Sequence, residues 1–367
     1  MSTLEKLTVN ARRLEIFYLP YSTPALKEII FNGEVEIFIG SQDCPIETLV
    51  IPKGVTAISG FSNNRYLKKI VLPSTLTTIE SNAFMECSAL QEVVLPEGLQ
   101  TIGDAAFSGC TSLSCVWVAG NGVTAGEEGR VILPDAVNYM GMRAFARCSA
   151  MQSVRIPASI YVVPSGAFER CEQLGTVEMH DDITLIGTQA FNGCTSLSDI
   201  QMPQGLITIG GWAFSNCPAL TDENVVFGSS LQAIEDRAFE KCTGIRNIRL
   251  PESVTSVHSN AFSGCQLDTV YVASKIAFSV GYQCWGADVN EITLAKGFTG
   301  HVPAAKTVNI MSTEVPEGSP HVVDTLSSTI SVINFAGTQE AWEKGNYRTD
   351  PATQINFNVV FDEESNE

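Results

Sequence analysis

The eleven cysteines of this sequence have the widest chemical scope, because thiolates act as nucleophiles, metal ligands and disulfide partners. Eight of them share one setting, in which an Ala-Phe pair is followed by a cysteine three residues after the phenylalanine. The eight are Cys87, Cys110, Cys148, Cys171, Cys194, Cys217, Cys242 and Cys265. Metal binding would need clustered ligands such as Cys-x-x-Cys, and the closest pair is Cys110 and Cys115. We therefore expect neither a metal site nor a cofactor.

A cysteine that keeps one place in a repeat forms a column when the repeats stack. Such a side chain behaves as a small hydrophobic residue, and cysteine is among the most frequently buried residue types. We interpret the eight as buried, reduced thiols. Disulfides within the column are the alternative, since stacked coils bring these side chains to about 5 Å. Their parallel Cα–Cβ directions disfavour the geometry of that bond.

The other groups capable of chemistry are scattered along the chain. The histidines, at positions His180, His258, His301 and His321, show no metal-binding spacing. Asp181-Asp182 is a carboxylate pair at a turn, where aspartate is favoured for backbone geometry alone; a cation site is the alternative. Gly120, Gly122 and Gly126 resemble a phosphate loop, but no Lys-Ser/Thr follows them. Without converging acid, base and nucleophile, we expect no enzymatic activity.

The spacing of the repeated cysteines indicates the architecture. Successive steps are 23, 38, 23, 23, 23, 25 and 23 residues. A fixed period of this length is typical of a solenoid, in which each unit buries its apolar side only against a stacked neighbour.

Within one repeat, residues 68–90 show which elements position these side chains. Ile70 and Leu72 alternate with Lys69 and Val71, which predicts a strand with one buried face. Pro73 then ends the ladder because it has no N–H group to donate. A second short buried stretch and the Ala-Phe pair follow. Stacked repeats therefore predict a parallel sheet along one side of the solenoid.

These residues resemble the BspA-like, or Treponema-type, branch of the leucine-rich repeat proteins. The matching positions in one repeat are Leu90, Val93, Leu95, Pro96, Leu99, Ile102, Ala106, Phe107 and Cys110. The resemblance covers residues 44–273, and the segment 332–344 looks like the Gly-Thr-x-x-x-Trp ending of this family. It implies an α/β-type repeat solenoid, a right-handed superhelix of about 23-residue coils with a parallel β-sheet on its concave face. It also implies a surface-associated bacterial protein, sometimes adhesive toward host or other bacterial proteins.

The departures from the period indicate the domain organisation. Residues 1–43 lack the repeat pattern and are predicted to cap the first coil, and 44–273 form the repeat array. The long step places an exposed insertion at 119–130, which is either a binding element or a tolerated excursion. Residues 274–361 are interpreted as degenerate repeats with a C-terminal cap, and 362–367 as an acidic tail.

Composition limits the partners. With 22 basic and 40 acidic residues the net charge is −18, which disfavours nucleic acid and anionic membrane surfaces. No apolar run is long enough for a spanning helix, so we expect no membrane insertion of this chain. The first residues, MSTLEKLTVNARRLEIF, lack the apolar core of a secretory signal. A cytoplasmic location and removal of a signal upstream therefore both stay open beside the surface location that the resemblance implies.

Outward positions of the strands provide a candidate binding surface. Reading the second outward slot along the array gives Val50, Val71, Val94, Trp117, Ile132, Arg155, Glu178, Arg249 and Tyr271. The early members form an apolar stripe, which we expect to be exposed and to bind a protein partner on the concave strand face. The alternative is that Val and Ile only suit a pleated sheet, or that the N-terminal segment or the insertion covers them.

The function that these observations favour is a non-enzymatic protein-binding or adhesion module of a bacterial cell surface. Two alternatives belong to other classes: an intracellular protein-interaction scaffold, and a catalytic accessory domain whose site lies in the irregular C-terminal region.

Overall fold

A computed structural model describes residues 5–10, 12–18, 26, 28–40, 45–119, 126–273, 277–278, 284–285, 289–296, 305–313, 330–344 and 352–361. The chain forms two compact units, unit 1 (Met1–Ile200) and unit 2 (Gln201–Glu367), which are described separately. Half of the predicted insertion (120–125), the acidic tail, His301 and His321 lie outside the described residues. The boundaries proposed for the caps and the array stay predictions.

The repeat at residues 68–90 shows how the sequence builds one coil. Ile70 and Leu72 are buried while Lys69 and Val71 point outward, as the period-two pattern predicts. We call this strand side 1 of the coil. A second strand at 78–79, which buries Ile79, forms side 2, and residues 81–86 form the turn side. Three short sides therefore enclose one apolar interior.

Unit 1 contains eighteen strands in its described part. They are β1 (Lys6–Val9), β2 (Arg13–Tyr18), β3 (Glu28–Phe31), β4 (Glu34–Ile39), β5 (Thr48–Val50), β6 (Ala57–Ser59), β7 (Lys69–Val71), β8 (Thr78–Ile79), β9 (Glu92–Pro96), β10 (Thr101–Ile102), β11 (Cys115–Ala119), β12 (Arg130–Ile132), β13 (Tyr139–Met140), β14 (Ser153–Arg155), β15 (Val162–Val163), β16 (Thr176–Glu178), β17 (Leu185–Ile186) and β18 (Asp199–Ile200). Side 1 is the parallel sheet β5-β7-β9-β11-β12-β14-β16-β18. Side 2 is the parallel sheet β2-β4-β6-β8-β10-β13, and after it β15 pairs with β17 in a second side 2 sheet.

Unit 2 repeats this arrangement. Its described elements are β19 (Thr208–Ile209), a 3-10 helix (Asp222–Asn224), β20 (Ala233–Ile234), β21 (Asn247–Leu250), β22 (Ser256–Val257), β23 (Thr269–Val272), β24 (Ala277–Phe278), β25 (Val289–Leu294), β26 (Ala305–Ile310), β27 (Val332–Phe335), α1 (Gln339–Lys344) and β28 (Gln354–Asn356). Side 1 is the sheet β21-β23-β25-β26-β27-β28, and β19-β20-β22-β24 form side 2.

The predicted repeat solenoid with stacked parallel strands is confirmed, with coils of about 22 residues. Helix is scarce: within the described residues, α1 and the 3-10 helix are the only helical segments. The third side of the coil is instead built from turns.

A column of stacked aromatic rings fills the interior. In unit 1 the Phe84–Phe107 and Phe107–Phe145 ring centroids are 5.2 Å apart, with interplanar angles of 8° and 10°. The rings are fully buried, and burying each contributes on the order of 2–3 kcal/mol. Phe38 and Phe61 continue the column into coils that lack the Ala-Phe-x-x-Cys pattern.

The turn side places two residues of each repeat in the left-handed backbone region. Around Phe84 these are Asn82 and Glu86, with φ of 57° and 58°, and the equivalent positions are left-handed in the other repeats with the Ala-Phe pair. A non-glycine residue there costs about 1–2 kcal/mol. Hydrogen bonds between coils offset this cost: the Phe84 N–H donates to Ala106 O (2.7 Å) and the Glu86 N–H to Ser108 O (2.6 Å).

The cysteine column lies beside the aromatic column, and the described cysteines are free thiols, as predicted. The thiols that donate to the carbonyl oxygen of the phenylalanine one coil earlier, at 2.9–3.2 Å, are those of Cys87, Cys110, Cys148, Cys171, Cys194, Cys242 and Cys265. Burial raises the pKa of Cys171 and Cys265 to about 12. The column is therefore neutral and joins neighbouring coils.

One coil of unit 2 has no side 1 strand, and the carboxylate of Asp222 takes its place. Elsewhere two successive N–H groups share a carbonyl of the preceding coil; Gln91 and Glu92 both donate to Lys68 O. At the start of β21 the N–H groups of Arg246 (2.6 Å) and Asn247 (2.9 Å) donate to Asp222 Oδ1 instead. A side-chain oxygen thus completes the ladder where the backbone cannot.

We predict that the column thiols resist labelling by a maleimide in the folded protein and react once it is denatured. Because their folded pKa lies above the unfolded value near 9, the folded state keeps protons that the unfolded state loses. This contribution to stability is complete below about pH 8 and is lost as the pH rises toward 12. Cys115, which is half-buried, is the internal reference for native labelling. Rapid native modification of most column thiols would contradict this assignment.

We predict that Asp222→Ala lowers the free energy of unfolding by about 1–3 kcal/mol, since two N–H groups lose a charged acceptor. Asp222→Asn keeps an oxygen at that position and should lose less than half as much. Urea denaturation followed by circular dichroism measures both. Equal stability of Asp222→Ala and the parent protein would show that water replaces the carboxylate at no cost.

Candidate functional site

The outward face of side 1 in unit 1 carries seven of the nine residues predicted to bind a partner. Strand register aligns Val50, Val71, Val94 and Trp117 across β5, β7, β9 and β11. The same register aligns Ile132, Arg155 and Glu178 across β12, β14 and β16. We call this set the unit 1 face. Arg249 and Tyr271 lie on the separate side 1 sheet of unit 2.

The prediction that the apolar stripe is exposed is wrong at its centre. Val50 is 60% exposed, and Val71 and Ile132 are half-buried. Val94 is only 3% exposed and Trp117 only 8%. The indole is large and lies over the sheet, so the outward position of Trp117 does not make it accessible.

Trp117 is held in place by polar and steric contacts. Its indole Nε1–H donates to Glu92 Oε1, on the neighbouring strand β9, at 2.9 Å. Gly126, where the chain returns from the insertion, packs directly on the ring: a Cβ at that position would lie 2.4 Å from Cδ1 of the indole. The end of the insertion therefore covers this part of the face, which is the alternative that the sequence left open.

Glu92 links Trp117 to a cation on the neighbouring strand. Lys69 Nζ lies 2.8 Å from the same Oε1 atom that accepts the indole hydrogen bond. Burial alone would raise the pKa of Glu92, but the hydrogen bonds from Lys69 and Trp117, with the Lys69 charge, lower it below its ordinary value. The carboxylate therefore stays ionised well below neutral pH and fixes the orientation of the ring.

Charged side chains dominate the other half of the unit 1 face. Arg155 contacts Asp135 (2.9 Å), and Arg130 lies 3.2 Å from Glu127 and 4.0 Å from Glu178. These side chains are substantially exposed, and exposed ion pairs are worth less than about 1 kcal/mol each. The charges can therefore exchange their present partners for those of another molecule at little cost.

In unit 2 the outward face of side 1 is a polar row. The Arg249 guanidinium lies 4.2 Å from the ring centroid of Tyr271, a cation–π contact. Farther along the row, Asn334 donates to Asn309 Oδ1 (2.8 Å) and Asn356 donates to Asn334 Oδ1 (2.7 Å). These amides join the C-terminal coils by side-chain hydrogen bonds.

Sequence reasoning overlooked several of these residues. The strand pattern predicts only that Lys69 points outward, and its link to Glu92 follows from their register, which places both at the same strand position one repeat apart. The asparagine row has a local signal in the repeated pattern of Val or Ile, Asn and a large apolar residue, at Asn309, Asn334 and Asn356. No period in the sequence marks Asp222.

The histidines and carboxylates that could take part in catalysis do not come together in one site. In the ranges that the structure describes, no group of three His, Cys, Asp or Glu side chains could hold a metal ion. His180 Nδ1 is 3.9 Å from Asp182, and His258 Nδ1 is 3.4 Å from Glu235. Over the same ranges, no helix has the length and hydrophobicity needed to cross a bilayer.

Comparison with known proteins agrees with this architecture. The sequence-family model described as "BspA type leucine rich repeat region (6 copies)" matches residues 15–128, 129–225 and 221–300. No curated protein matches the chain.

Solved structures include similar chains. A leucine rich cell surface protein from Faecalibacterium prausnitzii is 20% identical, over 84% of this chain and 93% of that one, with a TM-score of 0.47. A leucine-rich repeat protein from Bacteroides ovatus is 17% identical, over 84% and 91%, with a TM-score of 0.48. The pneumococcal vaccine antigen PcpA is 16% identical, over 97% and 92%, with a TM-score of 0.43.

The family match covers more than half of the chain and spans the stacked phenylalanine and cysteine columns of both units. The chain therefore belongs to the BspA-type leucine-rich repeat family.

Proposed function

We propose that this chain is a non-enzymatic protein-binding module of a bacterial cell surface and that it binds its partner on the unit 1 face. Proteins of repeat architecture characteristically bind partners on extended sheet surfaces. The observation that carries the proposal is the alignment of Ile132, Arg155 and Glu178 on adjacent strands, where apolar surface and two opposite charges are presented together.

The composition of this surface favours a protein over other partners. Protein interfaces combine apolar contacts with arginine and exclude water around a few anchor residues. Val50, Val71 and Ile132 supply apolar area, and Arg155 and Glu178 supply charges of both signs. A nucleic acid or an anionic bilayer would require a basic surface, whereas the arginines here are paired with Asp135 and Glu127 in a chain of net charge −18.

Val94 and Trp117 act in this proposal as supports. Val94 is buried in the sheet and Trp117 packs against Gly126, so that the pair supports the base of the insertion beside the unit 1 face. Arg249 and Tyr271 form a second candidate contact area in unit 2, where the stacked guanidinium and phenol offer a preformed aromatic and cationic surface.

We predict that the double variant Arg155→Glu/Glu178→Arg weakens partner binding about tenfold or more, because hot-spot charges lose their counterparts. It leaves the net charge of the chain unchanged. Biolayer interferometry against immobilised host matrix proteins, mucin and bacterial surface proteins identifies the partner and gives Kd for each variant.

The matched control is Arg143→Glu/Glu172→Arg, which reverses two exposed charges of the same unit outside the unit 1 face. Arg143, like Arg155, contacts one acidic side chain, Glu169 at 3.5 Å. Unchanged binding by the face variant, or equal loss in the control, would contradict the proposed site. Thermal unfolding of both variants separates loss of binding from loss of fold.

A further inference from the structure

Side 2 of unit 1 is interrupted at one step between coils. At regular steps two N–H groups share one carbonyl of the preceding coil: Asn138 and Tyr139 donate to Gln100 O at 3.0 and 3.2 Å. Within the described part of the chain, no such hydrogen bonds join Tyr161 and Val162 to Asn138, and the side 2 sheet ends at β13. We call this step, between β13 and β15, the seam.

Pro164 accounts for the interruption. At four other coils, the residue in this position donates its N–H to the carbonyl of an Ile or Val in the preceding coil. The donors are Glu80 (3.0 Å), Gly103 (2.8 Å), Gly141 (2.8 Å) and Gly187 (2.8 Å). Proline has no N–H, so Met140 O receives no such bond at the seam.

The proline ring also stands where the coils approach most closely. At Gly141 and Gly187, an added Cβ would lie 2.4 and 2.7 Å from a backbone nitrogen of the preceding coil. Glycine permits this approach, but Glu80 keeps its hydrogen bond to Ile58 O at the same position with a Cβ present, so the missing N–H of Pro164 accounts for the interruption better than its bulk does.

The other two sides remain joined at the same step. On side 1, β12 pairs with β14 over three residues. On the turn side, the Arg143 N–H donates to Ser165 O (3.0 Å) and the Phe145 N–H to Ala167 O (2.9 Å). The two coils are thus attached along two sides and detached along the third.

Exposed side chains surround the seam and buried apolar side chains lie beneath it. Tyr139, Tyr161 and Val162 are exposed around it, whereas Met140 and Val163 are buried directly beneath it. A small tilt about the corner where the turn side meets side 1 would bring water to these two residues.

We propose that the seam is a hinge of unit 1, which opens on side 2 while side 1 and the turn side stay closed. Opening costs the partial exposure of Met140 and Val163 and strains the contacts of the Ser159 hydroxyl with Asp135 O and Val137 O, whereas the backbone hydrogen bonds that lock side 2 at the other steps are absent. The hinge sets the angle between the coils that carry β12 and β14. It requires no partner and is independent of the proposed binding function.

Hydrogen exchange measured residue by residue on the intact protein tests the hinge. Amides of Tyr161 and Val162 should exchange about 100-fold faster or more than those of Gln100 and Thr101, which occupy the same positions at a closed step. Amides of Phe145 and Ser153, on the joined sides, should be as protected as their equivalents in neighbouring coils. Equal exchange on all three sides would overturn the proposal.

Substitution at position 164 tests the cause. Pro164→Gly restores an N–H and removes the ring, so exchange at Val162 should slow by about tenfold or more. Glu80→Pro is the matched control, because it removes the same hydrogen bond, from Glu80 to Ile58, and should open side 2 at another step. No change in exchange for Pro164→Gly would overturn the proposal; if that variant does not fold, the comparison of sides in the parent protein decides.

Limited digestion with chymotrypsin separates an opening motion from a missing hydrogen bond, since cleavage requires local release of the chain. Cleavage after Tyr161 should precede cleavage after Tyr139 and Tyr66, and should slow about fivefold or more in Pro164→Gly. Resistance at Tyr161 equal to that at Tyr66, which is also exposed, would show that the seam does not open.

Discussion

Each coil of this protein buries its phenylalanine only against the ring of the next coil, and the rest of the structure depends on this stacking. A single coil has three short sides and no second layer, so its interior would face water on both ends. Stacking at 5.1–6.1 Å removes the rings from water and sets the distance at which strands, turns and thiols must also meet. Cysteine suits the neighbouring column because its small thiol fits that interval and can donate to a phenylalanine carbonyl.

The periodic part of the fold could be predicted from sequence because identical residues must meet identical surroundings in every coil. This holds for Ile70, Phe84 and Cys87 and for their equivalents. Exceptions to the period could not be predicted in the same way. Phe61 and Trp285 continue the ring column without the repeat pattern, since any large ring at that depth makes the same contact. Asp222 works through a local geometry that has no periodic signal.

The candidate site was predictable in register and not in exposure. Alternation along the strands correctly placed Val71, Val94 and Trp117 on one outward row. Whether an outward residue is accessible depends on what lies over it, and the contact of Gly126 with the indole is set by where a non-repeating segment returns to the sheet. Glu92 adds a further reason, because a carboxylate fixed by Lys69 draws the indole N–H toward the sheet.

Asp222 also has a consequence for how the protein behaves at high concentration. The side 1 sheet of unit 2 begins at β21, and an unprotected first strand would present free N–H groups able to pair with a strand of another molecule. The carboxylate occupies two of these donors and puts a negative charge beside them. A repeat lengthened to 25 residues is thereby accommodated without creating an adhesive sheet edge, so variation in coil length need not lead to aggregation.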